Sequence, residues 1–286
     1  LEILHRAQVA AAGAVADALP ALERAAAAVE AALRGGASLV YAAAGSSALQ
    51  AMADGLEIPP TFGIPAERIH ILRAGGLQDL SVAREGAEDD AEAARRAAEV
   101  IAPGDAVICL AASGNTIYPV TIMEIARARG ATTIGMSNNP GAKLLSADIP
   151  VLLPTPPEVI AGSTRMGAGT AQKIALNLIS TLVGIRLGHV LDGLMVNVAT
   201  SNIKLKGRAA GIVRRITGCD AATAEAALAQ AGWRVKEAVL IVSGAGGAEA
   251  AREYLERAGQ NLRAALAELS GAHPENANAQ SKGEKP

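Results

Sequence analysis

Three stretches of small and hydroxyl-bearing residues carry the chemistry open to this chain. Gly45-Ser46-Ser47 follows the apolar run SLVYAAA, and Ala111-Ala112-Ser113-Gly114-Asn115-Thr116 follows DAVICL. Each combines a glycine, which lets the backbone come close to a ligand, with hydroxyls at an expected helix start. The first N–H groups of a helix have no intrahelical partner, and the helix dipole favours an anion beside them. Serine there is also an ordinary N-cap, so one such loop says little. Two in one chain point to an anion held by Gly45, Ser46, Ser47, Ser113, Gly114, Asn115 and Thr116. Neither loop reads GxxxxGK[ST] or GxGxxG, so a monophosphate such as a sugar phosphate fits better than ATP or NAD.

The third stretch is PPEVIAGSTRMGAGTAQK, residues 156–173. Ser163 and Thr164 are donors and Arg165 is a fixed positive charge. Either Arg165 pairs with Glu158, or one of the two faces ligand. Lys204 in TSNIKLKGR is a further cation within reach of an anion, or part of an exposed basic turn.

Two carboxylate groups stand out. Glu57 precedes Ile58-Pro59-Pro60, where prolines limit how far the backbone drifts. Glu85, Glu88, Asp89 and Asp90 are expected on one helix that runs from Gln78 to Ala98. If Glu57 and Glu88 reach one sugar pocket, they supply a general acid and a general base. His5, His70, His189 and His273 are scattered, and Cys109 and Cys219 have no CxxC partner. A catalytic triad, a zinc site and a disulfide framework are therefore not expected.

The elements that must position these residues follow a strand–loop–helix rhythm. A short strand is expected within SLVYAAAGSS (38–47), further strands near 68–72, 105–110, 132–136 and 149–153, with helices between them, and a long apolar helix over 170–187. Nearly continuous apolar runs such as DAVICL suit strands buried on both faces. The fold class is α/β: a three-layer α-β-α sandwich around a five-stranded parallel sheet, whose ligands lie beyond the carboxyl ends of the strands. After Lys206-Gly207-Arg208 the pattern changes to short helices separated by glycine. The expected organisation is 1–207 for the α/β domain with its N-terminal helices, 208–270 for a small helical domain, and a disordered polar tail at 271–286.

Bulk composition narrows the function classes. The 286 residues carry 26 Lys plus Arg against 28 Asp plus Glu, so neither sign dominates and a non-specific nucleic-acid binder is not expected. No run of 18 apolar residues suggests a membrane span and no signal-peptide pattern opens the chain, so the expectation is a cytoplasmic protein.

The segments EIPPTFG (57–63), EGAEDD (85–90), AASGNTIYPV (111–120) and GSTRMGAGTAQK (162–173) resemble the N-acetylmuramic acid 6-phosphate etherase family of the sugar isomerase domain superfamily. The resemblance extends over almost the whole chain, through DGLMVNVATSNIKLKGR and TGCDAATAEAALAQAG. It implies a cytoplasmic homodimer that uses neither metal nor organic cofactor and takes a phosphorylated amino sugar, with no nucleic acid or membrane partner. It implies cleavage of the C3 D-lactyl ether by elimination and then water addition, giving N-acetylglucosamine 6-phosphate and D-lactate. By motif position, Glu57 matches the acid that assists lactate departure, and Glu88 the glutamate that handles the water and C2-proton steps. Ser46, Ser47, Ser113 and Thr116 match the phosphate loops, and the C-terminal helices resemble a ubiquitin-associated domain.

The chain also departs from that pattern. Leu49 and Asn115 stand where the family usually has arginine, Gly167 where it has lysine, and Ile203 where it has glutamate. The family's N-terminal segment, which helps complete the pocket, has no counterpart in this sequence. The altered charges keep two other functions open: a non-catalytic sugar-phosphate-binding regulator, and an isomerase of another phosphosugar.

Overall fold

The computed structural model describes residues 1–77 and 85–271. The chain opens with α1 (Glu2–Gly13) and α2 (Leu19–Arg34), which a short 3-10 turn separates. Pro20 falls in the first turn of α2, where its missing N–H costs no hydrogen bond. The α/β pattern then runs β1 (Leu39–Ala43), α3 (Gly45–Gly55), α4 (Ile58–Phe62), β2 (Ile69–Arg73), α5 (Ala91–Ala97), β3 (Ala106–Ala111) and α6 (Ile117–Ala128). It continues through β4 (Thr132–Ser137), β5 (Ile149–Leu152) and α7 (Gly167–Arg186).

Strands β1 to β5 form one five-stranded sheet in the order β2-β1-β3-β4-β5, all neighbours parallel. Parallel strands require helical crossovers, and these cover both faces as the sequence pattern predicts. Helices α2 and α3 pack on one face, while α5 and α6 pack on the other. Alternate β1 residues divide between the faces: Val40 and Ala42 join Val107, Cys109, Ile122 and Met123 in the core under α5 and α6. Gly135 in β4 leaves no room for a side chain, because a Cβ there would lie 1.7 Å from the Leu144 carbonyl oxygen.

The chain divides into two compact units. One comprises Leu1–Ile58 and Pro65–Val183, the other Pro59–Ile64 and the chain from Gly184 onward. The second unit contains a hairpin, β6 (Val190–Leu191) paired antiparallel with β7 (Leu194–Met195). Asp192 and Gly193 turn it, both at positive φ (49° and 75°). Asp-Gly is a strong hairpin signal that the helix-and-strand periodicity does not reveal. Helices α8 (Ile203–Thr217), α9 (Ala221–Gln230), α10 (Val235–Val242), α11 (Ala248–Arg257) and α12 (Leu262–Leu269) follow. Asp220 caps α9 by accepting the Thr223 N–H at 2.8 Å. VKEAVLIV is a helix despite its β-branched residues, because it packs against α8, α9 and α11. The Pro59–Ile64 segment is held within this unit: Asn197 Nδ2 donates to the Phe62 carbonyl and the Ala199 N–H to the Pro60 carbonyl.

One expected element differs. Glu85, Glu88, Asp89 and Asp90 do not share a helix. Gly86 adopts a left-handed φ of 72°, Ala87–Asp89 form a 3-10 turn, and Asp90 caps α5 by accepting the Ala93 N–H. The glycine and the capping aspartate both favour a helix start over a helix interior at this point. The Gln78–Arg84 part of that expected helix, the tail from 272 and His273 lie outside the described residues. Among the described residues, no helix is long and apolar enough to cross a membrane.

Candidate active site

In the order β2-β1-β3-β4-β5 the chain reverses direction of progress between β1 and β3, and a crevice opens at such a point beyond the strands' carboxyl ends. The helices leaving those two ends are α3 and α6. The two small-residue loops therefore flank the place where such sheets take ligands.

The first loop turns sharply into α3. Ala44 is extended and Gly45 has φ +52°, and no side chain caps the helix. Among the described residues, the helix-end N–H groups thus remain at the crevice without a side-chain acceptor, as an anion site requires. Ser46 Oγ lies 3.3 Å from Thr164 Oγ1, which joins this loop to the segment before α7. Ser47 is buried within the first turn of α3. The Glu88 carboxylate stands over the turn: a Cβ added to Gly45 would lie 3.6 Å from Glu88 Oε1.

The second loop is internally tied. Gly114 has φ +66°, and a Cβ there would fall 2.4 Å from both Ala142 Cβ and Ser137 Oγ. The Gly114 carbonyl accepts the Leu144 N–H at 3.0 Å, and Asn115 Oδ1 accepts the Lys143 N–H at 2.9 Å. The Asn115 N–H donates to Ser113 Oγ, which is 3.3 Å from Thr116 Oγ1. Asn115 therefore spends its acceptor on the β4–β5 connection. Ser113 remains exposed and Thr116 half-buried.

Before α7, Glu158 resolves the alternatives raised for it. Its two carboxylate oxygens accept the Gly167 and Ala168 N–H groups at 2.9 Å each. A bidentate carboxylate at a helix amino end satisfies two orphan donors and meets the favourable end of the dipole. Among the described residues no ion pair joins Arg165 to Glu158, and Arg165 is exposed. The pairing expected as one alternative is thus replaced by a cap. Ser163 is half-buried, and its N–H donates to the Ile160 carbonyl. Lys204 lies in the second unit, exposed in the first turn of α8.

The two candidate glutamates sit at opposite ends of one helix. Glu88 faces the amino end of α3, whereas Glu57 is exposed just past its carboxyl end. Eleven helical residues at 1.5 Å rise put those ends about 16 Å apart. Within one chain, then, Glu88 meets the first loop and Glu57 does not.

Sequence reasoning missed Asp54. This residue is 3% exposed and its carboxylate accepts three hydrogen bonds: from Tyr41 Oη at 2.6 Å, Asn177 Nδ2 at 2.7 Å and Ser180 Oγ at 2.8 Å. Burial, and then the Asp54 charge, push the Tyr41 hydroxyl well above its ordinary pKa. A polar residue at a helical position otherwise filled by buried Ala48 and Ala51 was the available signal. A cavity of about 510 Å³ lies elsewhere, between β2 and α5, with Arg73, Glu85, Arg96 and Tyr118 in its lining. Among the described residues, neither small-residue loop contributes to it. Burial and Asp90 push the Tyr118 hydroxyl up to about 12 there.

The sheet order and its covering helices define a sugar isomerase-type α/β sandwich with additional C-terminal helices. Solved structures agree at the level of fold. A candidate phosphosugar isomerase involved in capsule formation from Bacteroides fragilis matches with a TM-score of 0.52 at 19% identity, covering 67% of this chain and 93% of that one. A protein of Escherichia coli matches with a TM-score of 0.51 at 13% identity, covering 66% of this chain and 90% of that one. No family model matches the chain. Full-length relatives are more specific. An N-acetylmuramic acid 6-phosphate etherase of Deinococcus radiodurans is 46% identical over 264 residues, 91% of this chain and 87% of that protein. Proteins of the same name from Symbiobacterium thermophilum and Rubrobacter xylanophilus are 44% and 42% identical, covering 77% and 85% of their own lengths. The chain belongs to the N-acetylmuramic acid 6-phosphate etherase family.

Proposed function

We propose that this chain is a cytoplasmic enzyme that cleaves the C3 D-lactyl ether of N-acetylmuramic acid 6-phosphate, giving N-acetylglucosamine 6-phosphate and D-lactate. The observation that carries the reading is the Glu88 carboxylate standing over Gly45 at the amino end of α3, in a chain 46% identical to a protein of that name. The phosphate is held by the first-turn N–H groups of α3 with Ser46 and Ser47, and by Ser113 and Thr116 across the crevice. In the open-chain sugar the aldehyde acidifies the C2 proton, which Glu88 removes. The C3–O bond then breaks as Glu57 protonates the departing lactate oxygen, leaving an α,β-unsaturated aldehyde. Glu88 then releases the C2 proton to solvent, takes a proton from the water that adds at C3 and delivers it to C2, while Glu57 recovers its proton from solvent. Each proton transfer to or from a placed carboxyl group supplies about 100-fold or more in rate.

The separation along α3 gives this mechanism a geometric demand. Glu57 serves the same sugar as Glu88 when it comes from the second subunit of a homodimer. The exposed Leu49 on α3 and Leu56 at its C-cap support an interface there: they are seven residues, about two turns, apart and so lie on one side of the helix. We further assign catalysis to the unit of Leu1–Ile58 and Pro65–Val183, and liken the helices within 208–270 of the second unit to the ubiquitin-associated fold.

Four altered positions favour a second reading, in which the chain binds a phosphosugar without turning it over. By the resemblance drawn from the sequence, Leu49, Asn115, Gly167 and Ile203 stand at positions charged in the etherase pattern, and Asn115 and Glu158 are already committed to backbone partners. Incubation with N-acetylmuramic acid 6-phosphate decides between them. The etherase reading predicts D-lactate release that falls at least about 100-fold in Glu57→Gln and in Glu88→Gln. Tight phosphosugar binding without lactate would establish the regulator, and hexose 6-phosphate interconversion without lactate an isomerase.

A further inference from the structure

We infer that Asp54 is a positioning residue for Glu57: a buried carboxylate that fixes the turn carrying the general acid by anchoring the carboxyl end of α3. The inference rests on the catalytic reading of Glu57 given above.

Asp54 is the second-to-last residue of α3, and Glu57 follows it by three. The two are joined directly, since the Glu57 N–H donates to the Asp54 carbonyl at 3.1 Å. The Asp54 side chain reaches inward to three partners on two other elements. Tyr41 comes from β1, 13 residues away, while Asn177 and Ser180 come from α7, 123 and 126 residues away. Among the described residues no ion pair to Asp54 is present, so these three donors compensate its burial. Gly55 completes the anchor. A Cβ there would lie 3.0 Å from Ile71 Cδ1 and 3.3 Å from Tyr41 Cε2, so the last turn of α3 sits hard against β1 and β2.

A buried charge is a poor way to gain stability, because apolar residues of similar volume do as well or better. What three directional donors on rigid elements add is orientation. They hold the helix end in one rotation and one axial position, and Glu57 projects from the next turn. Catalytic groups lose rate steeply when displaced by as little as 1 Å.

The test uses the full-length chain. Asp54→Asn keeps the shape but replaces one acceptor oxygen with an N–H, so the short charge-assisted bond from Tyr41 is exchanged for a weaker neutral one in which the hydroxyl must accept. Tyr41→Phe removes a single donor and is the milder variant. The control is Thr133→Val, which removes a buried hydroxyl bonded to Asp148 at 2.6 Å and shares no partner with Asp54. We expect Asp54→Asn to lower kcat for lactate release about tenfold with KM within about twofold, the signature of a lost transition-state interaction. Tyr41→Phe should show a smaller loss of the same kind, and Thr133→Val none at comparable thermal stability. In Glu57→Gln, adding Asp54→Asn should cost little more, since both act through one group. Independently of turnover, hydrogen exchange at the Glu57 amide should quicken in Tyr41→Phe and Asp54→Asn but not in Thr133→Val. Losses of kcat that merely track thermal stability in all three variants would overturn the inference, as would unchanged exchange at Glu57. If Asp54→Asn does not fold, Tyr41→Phe carries both measurements. A wild-type chain that releases no lactate refutes the etherase reading, and the exchange measurement then decides the positioning claim alone.

Discussion

The loops after β1 and β3 are alike in composition and unlike in bonding. Among the described residues, Gly45-Ser46-Ser47 opens α3 with its first N–H groups uncapped by any side chain, and one hydroxyl contact, Ser46 to Thr164, ties it outward. Ser113-Gly114-Asn115-Thr116 is stitched to the β4–β5 connection through Gly114, Asn115 and the close approach of Ala142 and Ser137. The same short residues thus do different work. In the first loop they leave donors available, whereas in the second they let two stretches of backbone pack together. Small, hydroxyl-rich composition picks out both loops at the carboxyl ends of the strands but does not distinguish the one with open donors from the one packed against backbone.

The glycines give the sharpest way to break this comparison. Gly114→Ala places a Cβ 2.4 Å from two atoms at φ +66°, while Gly45→Ala meets only Glu88 at 3.6 Å with φ +52°. Thermal denaturation should show Gly114→Ala destabilised by about 3 kcal/mol or more, through overpacking and backbone strain together. Gly45→Ala should lose only about 1 kcal/mol, the cost of a left-handed alanine. Equal losses would mean that the first loop is as tightly packed as the second.

Next in size is Asn115→Ala. It strands the Lys143 N–H and should cost about 1 kcal/mol of stability, with inorganic phosphate affinity changed less than about twofold. A large loss of phosphate affinity would instead make Asn115 a ligand. Smallest in stability is Ser46→Ala, expected within about 0.5 kcal/mol of wild type because only one weak hydroxyl contact is lost. Its effect should appear in binding: phosphate affinity, followed by calorimetry, should fall several-fold, by about 1 kcal/mol for one hydrogen bond. If Ser46→Ala binds phosphate as wild type does, the grip proposed for the first loop fails and Ser113 and Thr116 of the second remain to supply it.

The sheet is legible in the sequence because parallel strands buried on both faces leave continuous apolar runs, and each run ends in a glycine or proline signal. The first strand falls within SLVYAAAGSS, and the other four lie within a residue or two of their expected places. The helix expected over 78–98 instead begins at Ala91, because alanine-rich periodicity masks the glycine and the capping aspartate. The Asp192-Gly193 hairpin escapes notice since each of its strands has only two residues, too short for any alternation to register. In the site, hydroxyls and glycines can be picked out by type. Their partners cannot: Ser46 meets Thr164, 118 residues on, and Asp54 gathers donors from β1 and α7. The cap made by Glu158 depends on a carboxylate folding back nine and ten residues to α7, whereas charge pairing alone points to Arg165.

The central claim is that a phosphosugar sits with its phosphate at the amino end of α3 and its C2–C3 bond before Glu88. A structure of the chain with bound N-acetylglucosamine 6-phosphate measures this directly. The account predicts phosphate oxygens about 3 Å from the N–H groups and hydroxyls of Gly45–Ser47, with Glu88 facing C2 and C3. A phosphate bound away from this turn, for example in the cavity between β2 and α5, would contradict it.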